Sequence, residues 1–319
     1  MILPMVAAIA LSLAMTLYHY QILRRLGKFN IFDSYALAST YGAVGAVTFS
    51  VGLSFLRSQN IESEGFMAAI LAVLEPISFI LSIFLVNSAV AKSLKKKENQ
   101  AFPDRQNQPS DMTSDQKKEM VEYAGDKHHR PVTTVESAEN PGTKCSMRAI
   151  LHETLAGKSI VILLGSIVIG YVIGEQGFSS IAILFDELFF GALVIFLLEM
   201  GVVAGQRLGD IRKVGPFLII FAIAIPTING IIGVIVSTYL GLSIGGAVLF
   251  GTLMASASFI AAPAIFRTAI PKANPSLYIT SALGITFPYI VIGLLPVLLI
   301  VSTMLHGVEA ATGLFGEGS

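Results

Sequence analysis

Long apolar runs constrain this chain more than any other feature. They fall at about residues 3–23, 33–55, 65–91, 157–174, 187–204, 215–240, 243–266 and 277–305. Each approaches the ~20 residues that a helix needs to cross the hydrocarbon core of a bilayer. Only 13% of the 319 residues are charged while 54% are hydrophobic, and the mean hydropathy is +0.73; a soluble domain carries roughly a quarter charged residues. The ten-residue alternation of a lipid-facing β-barrel is absent. The chain therefore reads as an all-α integral membrane protein with about eight transmembrane helices. Its first twenty residues, MILPMVAAIALSLAMTLYHY, lack a basic leader and a small-residue cleavage site, and read as a retained first span.

The runs fall into two blocks. Residues 1–91 hold three spans and 151–306 hold five, followed by a tail at 307–319. Between the blocks, residues 92–150 are rich in charge, Gln, Ser and Pro and have too few apolar residues to bury a core, so a largely disordered polar linker is expected. Lys and Arg placement orients the blocks. Arg24, Arg25 and Lys28 follow the first span, Lys92, Lys95, Lys96 and Lys97 open the linker, Arg207, Arg212 and Lys213 follow the fifth span, and Arg267 and Lys272 separate the last two. All four sets share one side if the N-terminus starts outside, and the opposite loop 175–186 has no Lys or Arg. A plasma-membrane protein with a cytoplasmic linker and both termini outside is expected.

Several function classes lack any support. The formal net charge is zero, which gives no reason to expect a nucleic-acid partner, and Cys145 is the one cysteine, so no intrachain disulfide can form. The histidines are scattered at 19, 128, 129, 152 and 306. No HExxH, Gly-x-Ser-x-Gly or glycine-rich phosphate loop is present. The chain does not read as an enzyme, and no cofactor is implied beyond a possible coupling ion.

Comparing the chain with itself is more informative. At an offset of 210 positions AVTFSVGLSFLRS lies over SASFIAAPAIFRT, so that Thr48 meets Ser258 and Arg57 meets Arg267. Spans one to three thus resemble spans six to eight in order, and the charge rule runs the two trios in opposite directions. That is the pattern of an inverted-repeat secondary transporter, whose helices break near the midplane so that half-helix ends bind substrate. The candidate breaks are GAVGAVTFSVG, 42–52, and MASASFIAAPAIF, 254–266. Thr48, Ser50, Ser256, Ala257 and Ser258 are the candidate substrate-binding positions, with hydroxyls and backbone groups that suit an anion at a helix N-terminus. Close packing of small residues is the plainer account of either segment alone.

Two acids sit inside apolar runs, where charge is expensive and usually functional. Glu75, followed by Pro76, is a candidate cation ligand, for sodium, or a proton carrier. Glu199 lies nearer a span end, where water or Arg207 can meet it. Asp186 and Glu187 read as residues at a helix start.

The segment RTAIPKANPSLYITSALGITFP, 267–288, resembles the Arg-x-Gly-Ile-Pro-x-Ala-Asn-Pro-Ser-x-Tyr-Ile segment of the sodium-dependent bicarbonate transporter family. LSIGGAVLF, 242–250, and MGVVAGQRLGDIRKVG, 200–215, add to the likeness, which covers nearly all of the chain outside the linker. It implies a five-plus-five inverted-repeat fold, sodium-coupled bicarbonate uptake, trimeric assembly and control by a PII-like protein at the cytoplasmic side. The chain departs from the pattern in three ways. It begins at what resembles the family's third span. Its second crossover has Phe259 where the family has an acid, with Ala261 and Ala262 replacing a hydroxyl and a glycine. Its first has Gly45, Ala46 and Val47 in place of Ser-Gly-Ser. Two readings follow: a cation-coupled transporter of a small anion, or a non-transporting membrane scaffold or regulator with a degenerate ion site.

Overall fold

The computed structural model describes residues 2–75, 77, 79–81, 84, 158–184 and 188–312, which form helices and no strand. The linker 92–150, with Cys145 and its lysines, lies outside the described residues, as do Asp186, Glu187 and residues 313–319. The first block supplies α1 (Ile2–Arg25), α2 (Ile31–Gly42), α3 (Ala46–Ser58) and α4 (67–75). The second supplies α5 (Lys158–Ser179), α6 (Leu188–Val214), α7 (Pro216–Tyr239), α8 (Ile244–Ala255), α9 (Ala261–Ala269) and a final helix, α10, spanning 275–312. Within α10, π-helical turns at Thr280–Thr286 and Ile290–Leu294 interrupt the α-helical stretches. Among the described residues, five segments are long and apolar enough to cross a membrane, and three shorter apolar helices fall on the remaining runs.

Both candidate breaks are real interruptions. The chain is extended at Ala43 (φ −89°, ψ 146°) and Gly45 (φ −109°, ψ 117°) between α2 and α3, and again at Ser256 (φ −69°, ψ 162°) between α8 and α9. Gly42 and Ala255, which end the two first halves, are 213 positions apart, and Ala46 and Ala261, which begin the second halves, are 215 apart. The breaks thus lie three to five positions further apart than the offset of 210 read from side-chain likeness. Apolar and small residues recur at helical spacing, so a shift of one turn preserves most of the matches.

Non-helical backbone at membrane depth is tolerable only where protein covers it. That explains why α2 and α8 are enclosed: every residue from Asp33 to Gly42 and from Gly245 to Ala255 is buried. One side of the wrapping comes from α1, whose buried stripe includes Ala8, Ser12, Thr16, His19 and Leu23, while Ile2, Leu3, Val6 and Leu17 face outward. Most of the polar side chains of α1 lie in the buried stripe and several large aliphatic ones face outward, as expected of a helix with lipid on its other face. Ser12 Oγ donates to the carbonyl of Gly42 at 2.9 Å, which satisfies the end of α2. Around α8, Gly233 of α7 and Gly251 meet so closely that a Cβ on the former would lie 2.8 Å from the latter's Cα.

Polar pins join α2, α7 and α10 through the interior. Thr286 Oγ1 donates to Ala222 O at 2.7 Å, which leaves it to accept from Tyr41 Oη at 2.8 Å. Asn229 of α7 joins Tyr18 and His19 of α1, the latter at 3.2 Å from Nε2.

The loops sort to two ends. Phe29 packs on Phe217 at 6.1 Å, Lys272 lies over the Phe32 ring, and Asn274 N–H donates to Asp33 Oδ1 at 2.7 Å. The loops after α1, α6 and α9 therefore gather at one end. At the other, Glu64 Oε1 accepts from Ser243 N–H at 2.7 Å, His306 Nε2 lies 2.9 Å from Leu242 O, and Arg57 sits over the Phe190 ring. The basic loops around Arg24, Arg25, Lys28 and Lys272 share the first end.

Candidate functional site

The two breaks cross at a single place and satisfy one another. Gly45 N–H donates to Ser256 Oγ at 2.9 Å, and Ser258 N–H donates to Thr40 O at 2.9 Å. Ser256 Oγ in turn donates to Leu253 O at 2.7 Å, closing the end of α8. Gly45 is where the two extended segments touch: a Cβ there would lie 3.1 Å from Ala257 O and 3.2 Å from Thr48 Oγ1. The extended backbone here has no helical partner of its own, so these contacts satisfy groups that would otherwise be costly to bury.

What remains points into a cavity of about 110 Å³. Gly45, Ala46 and Val47 at the start of α3 line it, together with Ser258, Phe259 and Ile260 before α9, and Glu75 of α4. The first N–H groups of any helix have no acceptor within it. At α2, α8 and α10 a side chain fills the role: Asn30, Ser243 and Asn274 accept from the first turns. At α3 and α9 the N-cap residues are Gly45 and Ile260, and no side chain caps either helix. The start of α7 also lacks a side-chain cap, at Gly215 ahead of Pro216, but the uncapped starts of α3 and α9 are the ones that border the cavity. Their dipoles and N–H groups favour an anion.

Glu75 supplies the opposite requirement. It is 8% exposed and, among the described residues, is the one carboxylate lining the cavity. Among the described residues no group of three or more His, Cys, Asp or Glu side chains could hold a metal. A cation here would therefore rely on one carboxylate and neutral oxygens. Phe259 forms part of the wall and packs against Phe287 with ring centroids 5.1 Å apart.

The residues singled out from sequence divide into three groups. Ser258 and Glu75 line the cavity. Ser256 and Ala257 build the crossing itself, Ser256 through its hydroxyl and Ala257 by its close approach to Gly45. Thr48 is buried beside Gly45 but does not line the cavity, and Ser50 Oγ donates to Ala46 O of its own helix at 3.0 Å. Glu199 is exposed on α6 and does not line the cavity. Sequence reasoning did not single out the backbone of Ala46 and Val47 or the side of Ile260, because apolar side chains give no hint that their N–H groups are the useful part. The missing caps were the available signal.

The loop resembling a family motif turns out to be structural. Asn274 Oδ1 accepts from Ser276 N–H at 3.0 Å and starts α10 ahead of Pro275. Asp33 accepts from Asn274 N–H at one oxygen and from Asn30 Nδ2, at 2.5 Å, at the other. A comparison with curated proteins finds no match. Among protein-family models, the Na+-dependent bicarbonate transporter superfamily matches residues 1–303.

Proposed function

Since the chain belongs to the Na+-dependent bicarbonate transporter superfamily, we propose that it is a secondary transporter that moves a small anion, bicarbonate, by alternating access coupled to sodium. The observation that carries this reading is the pairing of two uncapped helix starts with one buried carboxylate around a single cavity. A space of about 110 Å³ has room for a few waters or one ion of bicarbonate's size.

Coupling follows from the electrostatics of that space. Two like charges 4 Å apart repel by about 4 kcal/mol at an effective dielectric constant of 20. An anion at the helix starts and an ionised Glu75 therefore disfavour one another, and a sodium ion between them turns the repulsion into attraction. Ser258 and nearby carbonyls offer further oxygens. A proton on Glu75 would remove the repulsion too, so the cation's identity is set by experiment. The crossed half-helices form the inverted-repeat core in this reading, with the basic end cytoplasmic and both termini outside. Trimeric assembly and a PII-like partner at the linker follow from the family likeness.

The test is uptake of labelled bicarbonate into vesicles holding the inserted protein, with and without a sodium gradient. Sodium-driven accumulation is expected; its absence from correctly inserted protein overturns the reading. One observation favours the second reading, a scaffold or regulator with a degenerate ion site. Phe259 occupies the cavity wall where the family has an acid, which leaves one carboxylate to hold a cation.

A further inference from the structure

The outward face of α6 carries an acid that lipid does not answer. α6 turns Leu193 and Ala204, 8% and 7% exposed, toward the chain, where it lies against the π-helical turn Thr280–Thr286 of α10. At 3.6 residues per turn, Glu199 projects about 120–140° away from that buried line. It is exposed, and its neighbours one turn away on α6, Ile195, Phe196, Val202 and Val203, are all apolar. The apolar window of α6 runs Leu188–Gln206, and Glu199 lies eleven residues from one end of it and seven from the other. The nearer end is thus about 10 Å of helix rise away. A carboxyl group facing lipid at that depth is costly, and acids inside a membrane pair with other groups instead.

The surroundings of Glu199 have the spacing of a seam between helices. Ala192, Ile195, Glu199, Val202, Gln206 and Gly209 follow one another at alternating intervals of three and four, and all six are exposed. With that alternation a helix keeps one stripe against a partner helix. Gly205 adjoins the stripe and Gly209 ends it, and a Cβ at either would meet nothing within 4 Å. Small residues let two helix backbones approach closely, and polar side chains hydrogen-bond across such contacts.

Register selects the occupant. Copies of one chain insert in the same direction, so their α6 helices are parallel when they meet around an axis along the membrane normal. The two copies of Glu199 then face one another at one depth, and those of Gln206 and Gly209 at others. Gln206 brings both a donor and an acceptor, and two carboxyl groups that share one proton satisfy each other. A foreign helix would need a polar residue at the depth of Glu199 by coincidence; a second copy supplies one by symmetry.

We propose that α6 is a self-association helix, packing its Ile195, Glu199, Val202 and Gln206 seam on the same seam of a second copy of this chain. The Glu199 carboxyl groups hydrogen-bond to each other at its centre. The inference rests on the reading that copies of the chain assemble, for which it names the surface, and is independent of transport.

Cys145→Ser removes the single cysteine, and Ile195→Cys or Val202→Cys is then placed in the full chain. Native membranes are oxidised with copper phenanthroline and the products are sized without reductant. Both seam thiols should give a cross-linked pair in high yield. Ile220→Cys in α7 and Ile292→Cys in α10, 66% and 79% exposed on other helices, should not. Gly205→Leu meets nothing in its own chain, so it should leave the unfolding temperature unchanged. It should nevertheless cut the yield at Val202→Cys about tenfold by holding the helices apart. Glu199→Leu should lower the yield several-fold, whereas Glu199→Gln, which keeps a hydrogen-bonding head, should retain it. Cross-links at Ile220 or Ile292 with both α6 thiols silent would show that copies meet by another face, which overturns the proposal but not assembly. Silence at all four positions overturns both. A yield at Val202→Cys indifferent to Gly205→Leu also overturns the seam.

Discussion

Single residues divide into those that hold the site and those that face its contents, and the two serines of the second break separate cleanly. Ser256 spends its hydroxyl on Gly45 N–H and Leu253 O. Ser256→Ala leaves a buried N–H without its acceptor, at about 1–3 kcal/mol. Ser258 lines the cavity, so Ser258→Ala should leave thermal unfolding in detergent near wild type while raising KM for bicarbonate or sodium. Equal loss of stability in both variants would contradict this division. Glu75→Gln keeps shape and removes charge. Sodium dependence of uptake should weaken by at least about tenfold, since the lost attraction is of the order of several kcal/mol in a partly buried site. Uptake with unaltered sodium dependence would remove Glu75 from the coupling role. Glu75 was legible in sequence because an acid inside an apolar run is costly. Ala46, Val47 and Ile260 were not, since what they contribute is backbone.

At the scale of elements, the breaks themselves were legible. Gly45, Gly52 and Pro263 weaken the helix within those segments; the chain is extended at Gly45, between α2 and α3, and again between α8 and α9, while Gly52 and Pro263 lie inside α3 and α9. Their pairing was legible only roughly, because the offset of 210 differs from the 213 and 215 of the helix ends and starts. The role of Ile270-Pro271-Lys272-Ala273-Asn274-Pro275-Ser276 was hidden. Its Asn274 caps one helix and joins it to Asp33 at the start of another, and that link spans 241 positions. Asp33→Ala should detach the start of α10 from that of α2, which costs about 1.5–3 kcal/mol per hydrogen bond to the carboxylate. The measurable result is a lower unfolding temperature in detergent, with Asn274→Ala adding less in the Asp33→Ala background than in wild type. Additive losses would show that the two residues do not act together.

At the scale of the whole molecule, the two blocks read from sequence are joined by many contacts. Residues 1–86 and 147–319 form one compact unit. The crossing of Gly45 with Ser256, the clamp of Asp33 on Asn274, the pin of Tyr41 on Thr286 and the contact of His19 with Asn229 all join one block to the other. Hydropathy displays spans and their ends but not partners 200 positions away, so the residues that join the blocks were not legible in it. A physical demand explains the interlocking: a half-helix end cannot face lipid with its backbone groups unmet, and each break here meets those groups on the other. Residues 1–100 and 140–319, expressed together as separate chains, should therefore assemble and co-purify through a tag on either one. Each expressed alone should fail to accumulate, because its break would expose unpaired N–H and C=O groups. If either piece proves stable by itself in the membrane, or the two do not associate, the crossing is not what holds the halves together. Sodium-driven uptake by the reassembled pair would then place the functional unit in the interlocked helices, with the linker free to serve control.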